Sequence, residues 1–392
     1  MKTNPLQYDI IRDEAAFLAL RDEWDALWRS AHGPYYQSFD VCWLAWQEVA
    51  RPRGRKLLCI VKREAGKLVL AWPLVSFKRQ FWTYVVPLGP DAGDYTSVLV
   101  EDGPYTAAQV EGAWRVARRH CGADFVHMPY MKEHTALYRA VSREPNVLFA
   151  EQHPSWVAQL RGEASWESFC ADIGRRHRKK PGQRERRLAK EGDLAVRMLE
   201  PSDTTEIASL VDWMLECKRG WSDRTDKRGE WLHSPYYRNF LVRLLSPDAG
   251  AAMARIVAVS LDGRPVATTI ISGGNPCASA IIAGFDAQFG RFGPGKVSME
   301  HCVKWALENR FDVDFGVGDE DFKSYWSRDN VASAYTMQVI VTQWGTLAVR
   351  ASHALQRIRQ RVKAIRNRAT DDHAAPAPAP APALNVNVLD DA

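Results

Sequence analysis

Residues 278–317 decide the fold, and they read ASAIIAGFDAQFGRFGPGKVSMEHCVKWALENRFDVDFGV. Residues 278–285 and 313–317 are short apolar runs that predict strands, while residues 298–309 predict a helix. The glycine-rich stretch Gly290–Gly295 separates the first strand from the helix. Strand, glycine-rich loop, helix and strand in this order predict a βαβ unit.

Further elements are predicted on both sides of this unit. Residues 255–261 and 265–272 predict a hairpin around Asp262-Gly263, because Asp-Gly is a favoured two-residue turn. Apolar residues at three- and four-residue spacing, such as Phe17, Leu20 and Trp24, predict a helix over residues 13–31. The other predicted helices cover residues 39–49, 106–120, 165–173, 204–219 and 236–245. The other predicted strands cover residues 57–62, 67–72, 84–87, 97–100 and 125–128. This mixture is typical of an α/β or α+β protein.

Composition excludes several classes of protein. The 392 residues are 46% hydrophobic and 25% charged, which excludes a chain disordered throughout. The net charge of +5 is too small to indicate nucleic-acid binding by itself. No CxxC pair, HExxH or Gly-x-Ser-x-Gly sequence is present, so no metal site or serine-hydrolase site is expected. No secretory signal or membrane-spanning run is seen, and with the scattered cysteines this favours a cytoplasmic protein.

The glycine-rich loop has the chemistry of a phosphate site. Glycines let backbone N–H groups approach a ligand closely, and the start of a helix adds unpaired N–H groups and a positive dipole end. The loop matches neither the P-loop nor the dinucleotide-binding fingerprint. It therefore predicts either a pyrophosphate site or a simple turn.

A second polar segment follows the unit and reads DFGVGDEDFKSYW, from Asp314 to Trp326. Its carboxylates, lysine and tyrosine come directly after a predicted strand, where α/β sheets place ligands. A carboxylate here suits general-base chemistry, and Lys323 suits the neutralisation of developing negative charge. The alternative is a solvated acidic turn in which Lys323 forms a structural ion pair.

These two segments, GFDAQFGRFGPGK and DFGVGDEDFKSYW, resemble the cellulose-biosynthesis (CelD-type) acetyltransferases of the GNAT superfamily. Other stretches that resemble the family, in the same order along the chain, are EWDAL, YQSFDVCWLAW, AWPLV, LGPDAGDYTSVLV, RERRLAKEG, CKRGW and LDGRPVATTI. The resemblance covers roughly residues 15–326. The chain departs from the GNAT pyrophosphate loop at Gly290, where the superfamily has Arg or Gln, and Arg291 comes one place late.

The resemblance implies two tandem GNAT-like units, as in the Fem-type aminoacyl transferases, each a mixed twisted sheet flanked by helices. We expect an N-terminal unit over residues 1–155 and an acetyltransferase unit over residues 156–349. A basic helix over residues 350–370 and a disordered Ala/Pro tail over residues 371–392 are expected to follow.

The resemblance also implies acyl-CoA, usually acetyl-CoA, as co-substrate, without a metal. The residues expected to bind it are Arg291, Phe292, Gly293, Gly295 and Lys296. The expected catalytic residues are Asp319 or Glu320 as base, Lys323 to hold a substrate phosphate or carboxylate and Tyr325 as an acid for the leaving thiolate. Tyr325 is equally consistent with packing beside Trp326. The residues expected to bind the acceptor are Asp94, Tyr95 and Trp221, and a capped turn remains the alternative for Asp94-Tyr95.

Three functions remain open at this stage. The first is acyl transfer to an amine or hydroxyl of a saccharide, polysaccharide or other cell-envelope precursor. The second is a non-catalytic accessory protein of polysaccharide assembly, with a degenerate GNAT fold, which the departure at Gly290 leaves open. The third, ranked below them, is an aminoacyl-tRNA-dependent transferase of the Fem type. No nucleic-acid partner is expected.

Two basic segments also allow alternatives. The run Arg175–Lys190 is a solvated helix face, a contact for the 3′-phosphate of CoA or an anionic acceptor, or an RNA contact. Residues 350–368 pack against the second unit or lie weakly on an anionic membrane surface.

Overall fold

The computed structural model describes residues 8–91, 95–177, 180–225, 229–247, 253–274, 276–347 and 349. Residues 1–342 belong to one compact unit, which contains all the strands described below. Residues 343–392 form a second unit, of which only 343–347 and 349 are described, and these are helical. The basic helix expected over residues 350–370 and the Ala/Pro tail expected over residues 371–392 lie outside the described residues.

One mixed sheet runs through the first unit. Its order is β1-β2-β3-β4-β6-β13-β7-β12-β11-β10-β9-β8, and β5 pairs with β3 off this path. The strands are β1 Asp9–Ile11, β2 Lys56–Glu64, β3 Lys67–Arg79, β4 Trp82–Pro87, β5 Leu99–Val100, β6 Phe125–Lys132, β7 Val147–Ala158, β8 Leu194–Met198, β9 Ala254–Leu261, β10 Arg264–Ser272, β11 Cys277–Phe285, β12 Asp312–Val317 and β13 Val331–Ile340. Two neighbouring pairs are parallel, β4 with β6 and β11 with β12.

Helices cover the sheet. They are α1 Glu14–Leu18, α2 Arg21–Ser30, α3 Phe39–Ala45, α4 Thr106–His120, α5 Ala136–Ser142, α6 Trp166–Arg176, α7 Gln183–Leu188, α8 Thr204–Thr225, α9 Pro235–Leu244, α10 Pro294–Glu308 and α11 Asp321–Ser327. The mixed α/β class with helices flanking a mixed sheet is thus confirmed. The predicted βαβ unit is confirmed as well, because α10 connects β11 to the parallel β12.

Several predicted elements differ in extent. The helix predicted over residues 13–31 is two helices, α1 and α2, that meet at Ala19-Leu20. The helix predicted over residues 39–49 corresponds to α3, which ends at Ala45, and to a π-helical turn over Trp46–Ala50 that follows it. Within the basic run, only the short α7 and the end of α6 are helical in the described residues. Gly182, with φ of +74°, stands immediately before α7.

Strands β1, β7, β8 and β13 were not predicted, although β7 and β13 lie at the centre of the sheet. β13 pairs with β6 on one side and with β7 on the other. β7 contains Pro154 and the polar stretch Glu151–His153, so its sequence lacks the hydrophobic pattern that predicts a strand. β7 also crosses residue 155, the expected boundary between the two GNAT-like units.

The core likewise spans the expected boundary. A single cluster contains Trp24 and Phe39 from the first half and Tyr237 and Phe240 from the second. A second cluster packs α6, α10 and β12 around Phe169, Val303 and Phe315. The division into residues 1–155 and 156–349 therefore stays a prediction about two halves that share one sheet. No helix among the described residues is long and apolar enough to cross a bilayer.

Candidate functional site

The site begins where the parallel strands β11 and β12 part. Their pairing runs from Cys277 opposite Asp312 to Ser279 opposite Asp314. Beyond that point β11 stays paired with β10 as far as Phe285. A cavity of about 410 Å³ opens here, lined by residues 280–283 of β11 and by Phe315 of β12. The carboxyl ends of parallel strands are where α/β sheets place ligands.

The glycine-rich loop closes one end of this cavity. Asp286 starts the loop by accepting a hydrogen bond from the Gln288 backbone N–H at 2.9 Å. Gly293 adopts a left-handed φ of +69° directly before α10. A Cβ atom on Gly293 would lie 2.5 Å from Nη1 of Arg184, so the glycine permits close approach of that guanidinium. The loop thus places a cation beside the positive end of the α10 dipole.

Six of the predicted site residues line this one cavity, although they come from three separate segments. They are Trp221 of α8, Gly293, Gly295 and Lys296 at the start of α10, and Glu320 and Lys323 at α11. Arg184 and Lys218 line it as well, and no specific role was predicted for either. Arg184 belongs to the basic run, and Lys218 belongs to the CKRGW stretch quoted above, so both carried a sequence signal.

Other predicted residues lie elsewhere. The Arg291 side chain is 77% exposed and lies over the Phe292 ring at 4.6 Å, and neither residue lines the cavity. Phe292 is buried against Leu188 and Val297. Asp319 is exposed and also does not line the cavity. Asp94 lies outside the described residues.

Lys323 and Glu320 form a pair at the inner end of the cavity. Lys323 is 6% exposed, and its Nζ lies 2.9 Å from Oε2 of Glu320. The same Nζ donates a hydrogen bond to the Val317 carbonyl oxygen at 2.5 Å. Burial of a lysine without partners would be costly, so these two acceptors hold the ammonium group in place. The pair supplies a base and a cation next to each other.

A second cavity, of about 260 Å³, adjoins the first. It is rich in aromatic side chains, which are Tyr35, Tyr36, Tyr95, Tyr130, Trp231, Tyr237 and Phe315. The residues that line both cavities are Lys218, Ala280, Ile281, Ile282, Phe315, Glu320 and Lys323. The Glu320–Lys323 pair therefore lies on the boundary between the two cavities.

A buried polar network forms part of the second cavity. The Tyr95 hydroxyl donates to Oδ1 of Asp314 at 2.9 Å and lies 2.7 Å from the Ser155 hydroxyl. Lys132 Nζ donates to Oδ2 of Asp314 at 2.7 Å, and the Gly316 N–H donates to Oδ1 at 2.8 Å. Burial, followed by the Asp314 charge, raises the pKa of Tyr95 well above its usual value. Tyr95 therefore stays a neutral hydrogen-bond donor.

Sequence reasoning selected Tyr95 but assigned no role to Asp314 or Lys132. Asp314 stands in the quoted DFGVGDEDFKSYW segment. Its partners Tyr95 and Lys132 are 219 and 182 residues away along the chain, so only the fold brings them together.

Tyr325 lines a third cavity, of about 300 Å³, on the other side of Phe322. Lys180, Arg184 and Lys296 line the same cavity, so part of the basic run faces it. Glu300 of α10 accepts a hydrogen bond from the Gly182 N–H at 2.6 Å. Burial raises the pKa of Glu300 to about 7. In the described residues no cluster of His, Cys, Asp or Glu side chains is arranged to hold a metal ion.

Comparisons with known proteins bear on the family and on the fold. Residues 175–324 match the family model described as "Acetyltransferase (GNAT) domain", and this range contains α10, β12 and Lys323. A comparison with curated protein sequences found no match.

Two solved structures share the fold over most of their length. FemX is 12% identical, with 84% of this chain and 98% of FemX covered and a TM-score of 0.54. The C-terminal domain (DUF2156) of a putative lysylphosphatidylglycerol synthetase from Agrobacterium fabrum is 14% identical, with 88% and 98% covered and a TM-score of 0.50. At such identities the likeness shows the fold alone. Residues 175–324 thus match a GNAT-type acetyltransferase domain, and the chain has a mixed α/β fold similar to that of FemX.

Proposed function

We propose that this protein is an acyltransferase that moves an acyl group from acyl-CoA, most simply acetyl-CoA, to an amine or hydroxyl of a saccharide or other cell-envelope precursor. The resemblance to the CelD-type family is part of this proposal. One observation carries it: Glu320 and Lys323 line both the cavity beneath the glycine-rich loop and the adjoining aromatic cavity. A donor and an acceptor that occupy these two cavities meet at a base and a cation.

The first cavity suits the donor. Its volume of about 410 Å³ lies in the range of small-molecule sites. The start of α10, Arg184 and Lys296 provide positive charge for the diphosphate of the coenzyme. The apolar wall of Ile281, Ile282 and Phe315 suits the uncharged arm that carries the thioester.

The acyl transfer then needs one proton acceptor and one oxyanion partner. The acceptor nucleophile attacks the thioester carbonyl carbon, a C–N or C–O bond forms, and the C–S bond breaks. Glu320 accepts the proton of the nucleophile and then donates this proton to the departing thiolate. Lys323 stabilises the oxyanion that develops on the carbonyl oxygen. Tyr325 faces the third cavity, so we assign it no proton transfer.

The second cavity suits a saccharide. Tyrosine and tryptophan rings offer flat apolar surfaces for the faces of sugar rings, and their polar tips offer hydrogen bonds. Tyr36, Tyr130 and Trp231 provide such surfaces, and the neutral Tyr95 hydroxyl adds a fixed polar group.

Titration calorimetry with acetyl-CoA is the first test. Binding by the wild-type protein, together with release of free CoA thiol when a matching acceptor is present, supports the proposal. Absence of binding of both acetyl-CoA and longer acyl-CoAs would instead favour the non-catalytic accessory protein that the glycine at position 290 leaves open. RNA that copurifies with the protein favours the aminoacyl-tRNA-dependent alternative. A cytoplasmic location remains a prediction.

A further inference from the structure

The hairpin between β3 and β4 exposes an aromatic side chain at its tip. Arg79 pairs with Trp82, and Gln80 and Phe81 form the turn between them. Gln80 has a φ of +57°, as expected at the first position of a tight hairpin turn. Phe81 is 77% exposed, and its ring meets the Trp82 ring edge-on at 6.1 Å. Lys78 and Arg79 beside it are exposed as well.

Further cations flank the strands that lead to this tip. Lys56 on β2 is exposed and lies opposite Ser76 on β3. The Arg55 guanidinium lies 5.1 Å from the centre of the Phe77 ring, so the turn before β2 lies beside the hairpin. The segments 51–56 and 76–84 together carry six Lys or Arg residues. Three carboxylates border them, because Glu14 pairs with Arg51, Asp91 with Arg53 and Arg55, and Asp124 accepts from the Thr83 N–H. The tip therefore has a surplus of positive charge.

The chain leaves the first unit at this same end of the sheet. Thr342 is the last residue of the unit, and its hydroxyl donates to Oδ1 of Asp124 at 2.6 Å. Oδ2 of Asp124 accepts the hydrogen bond from Thr83, the residue after Trp82. Eight residues beyond Thr342 the sequence enters residues 350–368, which contain seven Lys or Arg residues and no carboxylate.

We propose that the β3–β4 hairpin tip is a docking point for an anionic lipid bilayer. Phe81 and Trp82 enter the interface while Lys78, Arg79 and Lys56 lie at the level of the lipid headgroups. Aromatic residues favour this interface, and each cation near an anionic surface adds attraction. One such element binds weakly and reversibly, and a second basic element on the same chain raises the affinity. The proposal is independent of the acyltransferase chemistry.

Sedimentation of the full-length protein with extruded vesicles tests the proposal. We expect binding to phosphatidylcholine vesicles that contain about 30 mol% phosphatidylglycerol, and little binding to pure phosphatidylcholine. Neutralising both cations (K78Q with R79Q) should lower the partition coefficient about 25-fold, since each contributes about a fivefold factor. F81S should lower it about fivefold.

The control is Y105S. Tyr105 is 71% exposed but stands beside β5, which pairs with Leu70 and Ala71 far from the tip of β3. This variant should bind vesicles as the wild type does. Each variant is first checked for an unchanged thermal unfolding midpoint.

Three outcomes would overturn the proposal. If the wild-type protein does not prefer anionic vesicles, an anionic bilayer is not its partner. Unchanged binding of both tip variants places any attachment elsewhere, for example in residues 350–368. Loss of binding in the double variant but not in F81S leaves an electrostatic contact without entry of the aromatic tip.

Discussion

The two halves of the sheet each contain a parallel strand pair bridged by a helix of 15 residues. In the first half α4 connects β4 to β6 by way of the short β5, and in the second half α10 connects β11 to β12. The helices begin differently. Gly293 and Gly295 leave room beside the start of α10 for Arg184 and for the cavity. At α4, Tyr105 precedes the helix and the Thr106 hydroxyl already accepts the Gly103 N–H at 2.9 Å. Equal topology therefore does not give equal sites, because the loops decide which helix start can receive a ligand.

The largest expected effect compares the glutamates that follow the second strand of each parallel pair, β12 and β6. Glu320, after β12, lines the cavities, whereas Glu133, after β6, is exposed. E320Q should lower kcat about 1000-fold, because a general base contributes roughly 10²–10⁴-fold. The measurement is release of CoA thiol under saturating acetyl-CoA.

The matched variants E133Q and D319N should keep wild-type kcat. Full activity in E320Q combined with loss in D319N would transfer the base to Asp319, the other residue that the sequence suggested.

The next effect concerns the contact between the halves. K132M removes a cation of β6 from the buried carboxylate of Asp314 on β12. Breaking a buried pair from one side costs about 3 kcal/mol in the free energy of unfolding. K67M removes the exposed pair of Lys67 with Glu101 and should cost less than about 1 kcal/mol. Denaturant unfolding measures both, and equal losses would mean that burial of Asp314 does not depend on its pairing with Lys132.

A pair of glycine variants compares the two helix starts directly. A Cβ on Gly295 would lie 3.1 Å from Cδ1 of Phe285, whereas a Cβ on Gly103 would meet no atom within 4 Å. G295V should weaken acetyl-CoA binding about 100-fold, because a misplaced binding element costs that much. G103V should bind as the wild type does in calorimetry. Equal affinities of the two variants for acetyl-CoA would show that the donor does not bind at the start of α10.

The smallest effect is a pH dependence confined to α10. Glu300 has a pKa of about 7 in the folded protein against an ordinary value of 4.5. The folded state therefore holds this proton more tightly, and the free energy of unfolding falls as pH rises from about 4.5 to about 7. E300Q removes that loss, so its stability relative to wild type should increase by about 2 kcal/mol between pH 5 and pH 8.

The matched variant on the other helix is E111Q, since Glu111 is exposed on α4. This variant removes one exposed carboxylate and so controls for the loss of a charge from a helix. The same pH trend in both variants would show that the effect is not specific to the buried carboxyl.

Sequence reasoning located the βαβ unit because its signals are local. The strand, the glycines and the helix stand within 40 consecutive residues, and each follows from hydrophobic spacing or turn chemistry. The hairpin around Asp262-Gly263 was predicted for the same reason. The central strand β7 was not predicted, because its polar residues and Pro154 suit their positions only when β12 and β13 lie on either side.

The sequence by itself determined the α/β class, the glycine-rich helix start and the acidic segment before Lys323, all of which rest on neighbouring residues, and it left the base open between Asp319 and Glu320. Only the tertiary structure decided which groups share a cavity. It placed Arg184 and Lys218 beside the glycine-rich loop, and it buried Asp314 between Tyr95 and Lys132. It also left Asp319 and Arg291 in solvent. The physical reason is that burial and pairing depend on strand order, which a one-dimensional pattern of residues does not specify.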